Sequence, residues 1–526
     1  MTPGQTIEAG RAYLGIEFGS TRIKAVLIDG DANPIAQGNH EWENSFEDGL
    51  WTYSLDDIIG GLQSCYAALR ADVKARHSVE INRLGAIGIS GMMHGYLAFD
   101  SEGRQLTPFR TWRNTNTGGA ASRLSNEFEF NIPLRWTIAH YYQALIDDEP
   151  HTASIDFLTT LAGYVHFRLT GKKVVGVGEA SGIMPVDSLT MTYDARMVER
   201  FETLTGRKGL LHLLPRVLTA GEEAGVLTQE GALLLDPSGT LRPGAPLCPP
   251  EGDAGTGMVA TNAIRPRTGN VSAGTSAFSM IVLDRSLSRP YPDIDMVTTP
   301  VGDPVAMVHC NNCTSELNAW AGIFREFGRL MGCDAVPGEV FGKLYTHALE
   351  SDPDAGGIMA YNFLSGEPIA EIGEGRPMTM RSVESRMNLS NFIRAQLYSA
   401  VACLSIGNEL LFKEEKITVD RMTGHGGFFK TPVVGQRIMA AALGTPVSVM
   451  QTAGEGGAWG MAILAAYMAD NAEGLSLADY LEKVVFRGDT GSCIEPDPAD
   501  VEGFRAFLKE YRRLLPVERQ AASLPS

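Results

Sequence analysis

Near the middle of this 526-residue chain one acid, Asp253, stands between Gly252 and Ala254-Gly255. Shortly after it, Ser272-Ala273-Gly274-Thr275-Ser276 gathers hydroxyls around a glycine. Glycine lets backbone N–H groups approach a ligand closely, and an acid that close to such turns could serve a reacting centre. Two further small-residue turns offer donors of the same kind. Gly19-Ser20-Thr21, with Lys24 just beyond, suits the wrapping of a phosphate, and Thr423-Gly424-His425-Gly426-Gly427 leads from a strand toward a helix, a ready anion or nucleotide site. Taken singly, each is first an ordinary loop or hairpin tip. Ser90-Gly91-Met92-Met93-His94-Gly95 ends an apolar run, where ligands of α/β proteins usually sit. On local grounds His94 is either a donor to a hydroxylated substrate or a satisfied structural histidine.

The surrounding pattern says what must position these groups. Residues 13–18 and 23–28 are short apolar runs about a tight turn, a hairpin signature, and residues 32–43 read as a third strand. Ser54-x-x-Asp57 resembles a capping box opening an amphipathic helix over residues 56–76. A buried-type strand over 84–89 and a hairpin over 96–112 follow, then helical patterns over 155–169 and, with Gly breaks, 193–230. In the second half, residues 277–283 read as a strand and 314–330 as a helix. Phe392, Ile393, Gln396, Leu397, Ala400, Val401 and Leu404 line one face at helical spacing. Residues 419–422 enter the Gly-rich turn, a helix over 431–443 has Pro432 in its first turn, and 446–450 form a strand. Gly454-Glu455-Gly456-Gly457 then opens an Ala-rich helix to about residue 468. Both halves begin with strand, small-residue turn and strand, which suggests a duplicated α/β unit with a cleft between the copies.

Composition narrows the partners. The chain is too long for one core and should form at least two domains; 44% apolar and 20% charged residues are ordinary for a globular protein. A formal net charge of −18 argues against nucleic acid or an anionic membrane as a general partner. The start lacks signal-peptide regions, and the longest apolar run, residues 458–469, is short of the ~20 residues a membrane span needs. A cytoplasmic location is the default expectation. Seven scattered cysteines fit reduced thiols. For His309-Cys310-Asn311-Asn312-Cys313, with no second CxxC nearby, buried thiols are expected rather than a zinc site.

The order of these turns resembles the FGGY carbohydrate kinases over residues 13–468, most of the chain. Gly15-Ile16-Glu17-Phe18-Gly19-Ser20-Thr21 is similar to the family's first phosphate motif, with Lys24 at its basic position. Gly252-Asp253 resembles the catalytic acid motif, Ser272 to Ser276 the second phosphate motif, Met422 to Lys430 the adenosine motif and Gly456 to Ala465 its closing helix. The resemblance implies an α/β protein with two ribonuclease-H-like, actin-like ATPase domains (residues 1–265 and 266–526) and an interdomain catalytic cleft. The N-terminal domain would bind sugar and carry the catalytic acid; the C-terminal domain would bind nucleotide. It further implies ATP-dependent phosphorylation of a sugar hydroxyl, with Asp253 as general base. Gly19, Ser20, Thr21, Lys24, Gly274, Thr275, Ser276, Gly426, Gly427 and Lys430 would hold ATP, and Glu17 would bind Mg²⁺ directly or through water.

Met93-His94-Gly95 is similar to the MHG of xylulokinases, and Trp112-Arg113-Asn114 to the segment after the same hairpin, so Met93, His94, Gly95, Trp112, Arg113 and Asp253 are the expected sugar contacts. D-xylulose or L-ribulose, giving the 5-phosphate, is the expected substrate. L-ribulokinases are similar in length, and gluconate kinases share a related Met-His, which leaves gluconate or another polyol as the alternative. A non-catalytic ATP-binding sugar sensor and an ATPase whose output is motion are the readings of another class. The assembly stays open, a homodimer included. Two positions depart from the family pattern. Glu17 replaces the usual Asp and reaches one methylene further, and Ala254 follows the acid where Asn or Gln is common.

Overall fold

The computed structural model describes residues 1–450, 456–488 and 491–524. Two mixed sheets organise it. In the first, β1 (Tyr13–Phe18), β2 (Arg22–Ile28) and β3 (Pro34–Glu41) form an antiparallel meander. Helix α1 (Leu55–His77) follows, and β4 (Ala86–Gly91) then adds parallel to the other side of β1. After the helix α2 (Leu161–Thr170), β5 (Pro246–Leu247) and the two-residue β6 (Glu251–Gly252) both pair with β4, and α3 (Asp253–Ala260) starts at once. The second sheet repeats this order. Strands β7 (Thr268–Ala273), β8 (Ala277–Val282) and β9 (Pro304–Cys310) form the meander; the helices α4 (Ser315–Leu330) and α5 (Leu389–Glu409) intervene, and β10 (Arg421–His425) lies parallel to β7. Helix α6 (Val434–Leu443) and strand β11 (Val447–Val449) complete the repeat, as the duplication reading expected.

The apolar runs of β1, β2 and β4 are buried on both faces, as a sheet covered by helices on each side requires. One of those helices comes from the far end of the chain. Helix α7 (Gly456–Asp470) packs on the first sheet so closely that a Cβ on Gly15 would lie 2.1 Å from the Ala458 carbonyl oxygen, and one on Gly88 2.6 Å from Met461. It also crosses α3, where a Cβ on Gly460 would lie 2.1 Å from the Thr256 carbonyl. Gly15 and Gly88 are thus contact positions between helix and sheet, and Gly460 is one between two helices.

Some expected boundaries shift. Residues 157–159 are a strand paired with 97–99, so only the second half of the expected 155–169 helix is helical. The 193–230 stretch breaks into the helices Ala195–Thr205, Leu210–Leu213 and Gln229–Leu235, with the short strands Arg216–Leu218 and Gly225–Val226 between the last two. Helix α6 starts at Val434, because Val433 takes φ +72° and leaves Pro432 outside. Gly454 and Glu455, expected to open the Ala-rich helix, lie outside the described residues. The chain ends in α8 (Pro498–Ala522), capped by Asp497 and docked through buried Phe504, Phe507 and Tyr511.

Candidate active site

Asp253 is the first residue of α3, directly after the bridge that fastens β6 to β4. A carboxylate at a helix N-terminus is favoured by the peptide dipoles and can accept the unpaired amides there. Its Oδ1 accepts the N–H of Ala254 (3.0 Å) and the N–H of Met93 (3.2 Å). Burial pushes the Asp253 carboxyl above the usual aspartate value, and the Met93 and Ala254 amides pull it back. The residue is nevertheless partly exposed, so a substrate hydroxyl can reach it.

The Met93 bond ties the acid to the turn singled out for sugar recognition. His94 has φ +71° and Gly95 +91°, and a Cβ on Gly95 would lie 2.8 Å from the Arg110 carbonyl. Only glycine fits there. His94 is buried against Trp136, ring centroids 6.3 Å apart, with Nδ1 3.4 Å from the Gly182 carbonyl. Burial and the neighbouring Arg135 guanidinium hold it well below the usual histidine pKa, hence neutral. Trp112 and Arg113 are both exposed, and Arg113 stacks 3.8 Å over the Trp51 ring while donating to Asn44 Oδ1 (3.0 Å).

Glu17 lies opposite Lys24 across the first hairpin and meets the start of α7. A Cβ on Gly457 would fall 2.1 Å from Glu17 Oε1 and 2.8 Å from Thr256 Oγ1. Burial first, then the Asp253 charge, push the Glu17 carboxyl up to about 7, against the pull of Lys24 and the Ala458 amide. Glu17 and Asp253 therefore lie within electrostatic reach of each other. No cluster of three or more His, Cys, Asp or Glu fit for a metal occurs among the described residues.

The two turns expected to hold phosphate sit at the tips of equivalent hairpins, β1–β2 and β7–β8. Behind the first, Trp42 Nε1 donates to the Gly19 carbonyl (2.7 Å) and Tyr53 Oη to the Ser20 carbonyl (2.6 Å), the two rings stacked 4.1 Å apart. Behind the second, the N–H groups of Cys313 and Thr314 donate to the Thr275 and Gly274 carbonyls (2.9 Å each). With their carbonyls held from behind, the turns present Ser20, Thr21 and Thr275 exposed. Gly426, Gly427 and Lys430 are also exposed, anchored by buried Phe428 and Phe429. Gly426, at φ +97°, packs where a Cβ would lie 2.5 Å from the Ala273 carbonyl, joining its turn to the strand that feeds the Gly274–Ser276 turn.

Sequence reasoning missed the acids behind Asp253. Glu251 is fully buried, and its carboxylate accepts the N–H groups of Gly178 (3.3 Å) and Glu179 (2.9 Å). Burial pushes it up to about 8. Glu179, also fully buried, is pushed well above the carboxylate range by burial. The available signal was Gly176-Val177-Gly178, because a Cβ at either glycine would lie 2.1–2.4 Å from a Glu251 oxygen.

The N-terminal domain of the FGGY family of carbohydrate kinases matches residues 12–237, and its C-terminal domain matches residues 269–469. The chain belongs to the FGGY family of carbohydrate kinases. It is 22% identical to the xylulose kinase of Haemophilus influenzae over 471 residues, 84% of this chain and 91% of that one. In fold it is similar to the xylulose kinase of Rhodospirillum rubrum, with TM-score 0.77, 18% identity and coverage of 98% and 100% of the two chains. The gluconate kinase of Lactobacillus acidophilus gives TM-score 0.74 at 17% identity, covering 97% and 99%. This FGGY kinase is thus a sugar phosphotransferase with ATP as donor, built on the two-domain actin-like ATPase fold. Among the described residues no helix is long and apolar enough to cross a membrane.

Proposed function

We propose that this kinase phosphorylates a ketopentose, D-xylulose or L-ribulose, at its terminal hydroxyl, with Asp253 as general base. The observation that carries this reading is the hydrogen bond from the Met93 amide to Asp253 Oδ1, which couples the Met-His-Gly turn to the base. Met93, neutral His94 and Gly95 hold the sugar, and Trp112 and Arg113 act at the entrance. Phosphoryl transfer asks the protein for positioning and charge stabilisation. The turns at Gly19–Thr21 and Gly274–Ser276 grip phosphates from the two sheets, Lys24 adds charge, and Gly426, Gly427 and Lys430 hold the adenosine. The two domains divide at residues 265/266, at the end of the segment that carries α3.

Mg²⁺ is bound by one or two carboxylates with phosphate oxygens and waters rather than by a protein cage. Glu17, opposite Lys24 across the first hairpin, is the carboxylate that would hold the ion, and the ion when bound would neutralise phosphate charge. The Glu17 carboxylate, carried one methylene further than that of Asp, occupies the space left open by Gly457.

A coupled ADP assay across D-xylulose, L-ribulose, D-ribulose, gluconate, glycerol and ribitol tests the substrate; a ketopentose should give the highest kcat/KM. Gluconate or glycerol in first place would overturn the sugar assignment and leave the kinase intact. Asp253→Asn should lower sugar-dependent turnover by at least ~10²-fold while ATP still binds. Turnover at the parent level would exclude Asp253 as the base. Because the base must be ionised and its pKa is raised, kcat/KM should fall as pH drops through that raised value and level off above it.

A further inference from the structure

The sequence motif Cys310-Asn311-Asn312-Cys313 has no part in the chemistry above. Both thiols are buried, unbridged and pushed up by burial, and so poorly suited to redox or metal work. The loop they bracket nevertheless leads straight to the second phosphate turn. The Cys313 N–H donates to the Thr275 carbonyl (2.9 Å), and Thr314 donates to the Gly274 carbonyl through both its N–H (2.9 Å) and its hydroxyl (2.7 Å). Those three bonds fix how the turn stands.

One buried acid holds the loop in turn. Glu367 has no exposed surface, and its Oε2 accepts the Asn311 N–H (2.9 Å), the Asn312 N–H (3.2 Å) and Asn312 Nδ2 (3.2 Å). Its own backbone is closed into a tight loop by reciprocal bonds with Ile372. Asn312 extends the brace, its Oδ1 accepting the N–H groups of Leu364 (2.9 Å) and Ser365 (3.0 Å). Asn362 Nδ2 donates to the Cys313 carbonyl (2.9 Å), and the Ser399 hydroxyl on α5 donates to Asn362 Oδ1 (3.2 Å). Burying a carboxylate costs free energy unless it is fully hydrogen-bonded, and an aliphatic side chain would fill the same volume without that cost. An acid here makes sense when one oxygen must align several amides at once, as carboxylates binding backbone N–H groups do.

We propose that Glu367 is a positioning residue for phosphoryl transfer: through Asn311 to Thr314 it sets the geometry of the Gly274–Ser276 turn for the nucleotide phosphates. This rests on that turn being the second phosphate clamp, and Thr275→Glu tests that reading separately. A carboxylate at the exposed tip should weaken binding of a non-hydrolysable ATP analogue at least tenfold in titration calorimetry. Glu367→Ala should weaken the analogue about tenfold and raise KM for ATP equally, with KM for sugar within twofold of the parent. Glu367→Gln keeps an acceptor at the Oε2 position and should restore both values to within threefold. Thr314→Val, at the last link of the relay, should weaken the analogue about three- to fivefold and covers the case in which Glu367→Ala does not fold. Unchanged analogue binding in Glu367→Ala or Thr314→Val, or a Gln variant as impaired as Ala, would overturn the proposal. Unchanged binding in Thr275→Glu would overturn the clamp itself.

Discussion

The turns at Gly19 and Gly274 occupy the same place in two copies of one sheet, yet they are braced by unlike means. The first leans on an aromatic pair, Trp42 and Tyr53, whose ring donors hold its carbonyls. The second leans on backbone and hydroxyl donors of a loop that is itself pinned by a buried acid. Duplication preserves strand order because the meander and its parallel neighbour are needed to close each sheet. It leaves the brace open, because any donor that satisfies the turn's carbonyls can do that work. The second turn also abuts the adenosine-type turn through Gly426, a contact made across two strands of its own sheet.

The comparison breaks most sharply at those glycines. At Gly426 an added methyl meets the Ala273 carbonyl at 2.5 Å in a left-handed backbone conformation, whereas at Gly19 it meets only the Arg22 carbonyl at 3.0 Å. Gly426→Ala should cost roughly 1–3 kcal/mol of local strain and raise KM for ATP about tenfold or more, at about 1.4 kcal/mol per decade. Gly19→Ala should change it less than about threefold. Steady-state kinetics in ATP on both variants checks the pair, and equal effects would mean that the turns tolerate crowding alike.

A smaller effect is expected at the first brace. Tyr53→Phe removes the hydroxyl that holds the Ser20 carbonyl, a loss of about 1 kcal/mol. KM for ATP should rise severalfold with kcat little changed. Combined with Thr314→Val, the two costs should add to within ~0.5 kcal/mol, because the braces share no partner. A clear departure would show the turns to be mechanically linked.

The smallest effect is a slope with pH. Buried Glu251 has a folded pKa of about 8, above its unfolded value, so the native state holds a proton that the unfolded state has released. Stability should therefore fall as pH rises from about 5 to about 8. Glu251→Gln should flatten that slope, with the stability difference between variant and parent growing toward pH 8 in urea titrations. Parallel curves would exclude Glu251 as the titrating group.

The candidate site was legible where chemistry depends on residues close in sequence. The Gly-flanked Asp253, the Met-His-Gly turn and the small-residue hairpin tips each carry their own conformational signature, and the order of motifs pointed to the kinase family. The supports were not legible. Glu367 lies more than fifty residues from the loop it holds, and nothing in its surroundings marks an acid that accepts three amides. The charged C-terminal helix α8 docks through Phe504, Phe507 and Tyr511, and Asp500 bridges Arg394 and Arg437. Its charged sequence hid that docking.

By itself the sequence determined the duplicated α/β order and the reaction class, because strand periodicity, glycine turns and motif order are local properties of the chain. Tertiary structure alone decided which helix covers the first sheet, that Glu17 meets the start of that helix, and how the turns at Gly19 and Gly274 are held. Those outcomes depend on backbones approaching within contact of one another across hundreds of residues. Only the folded chain brings them together.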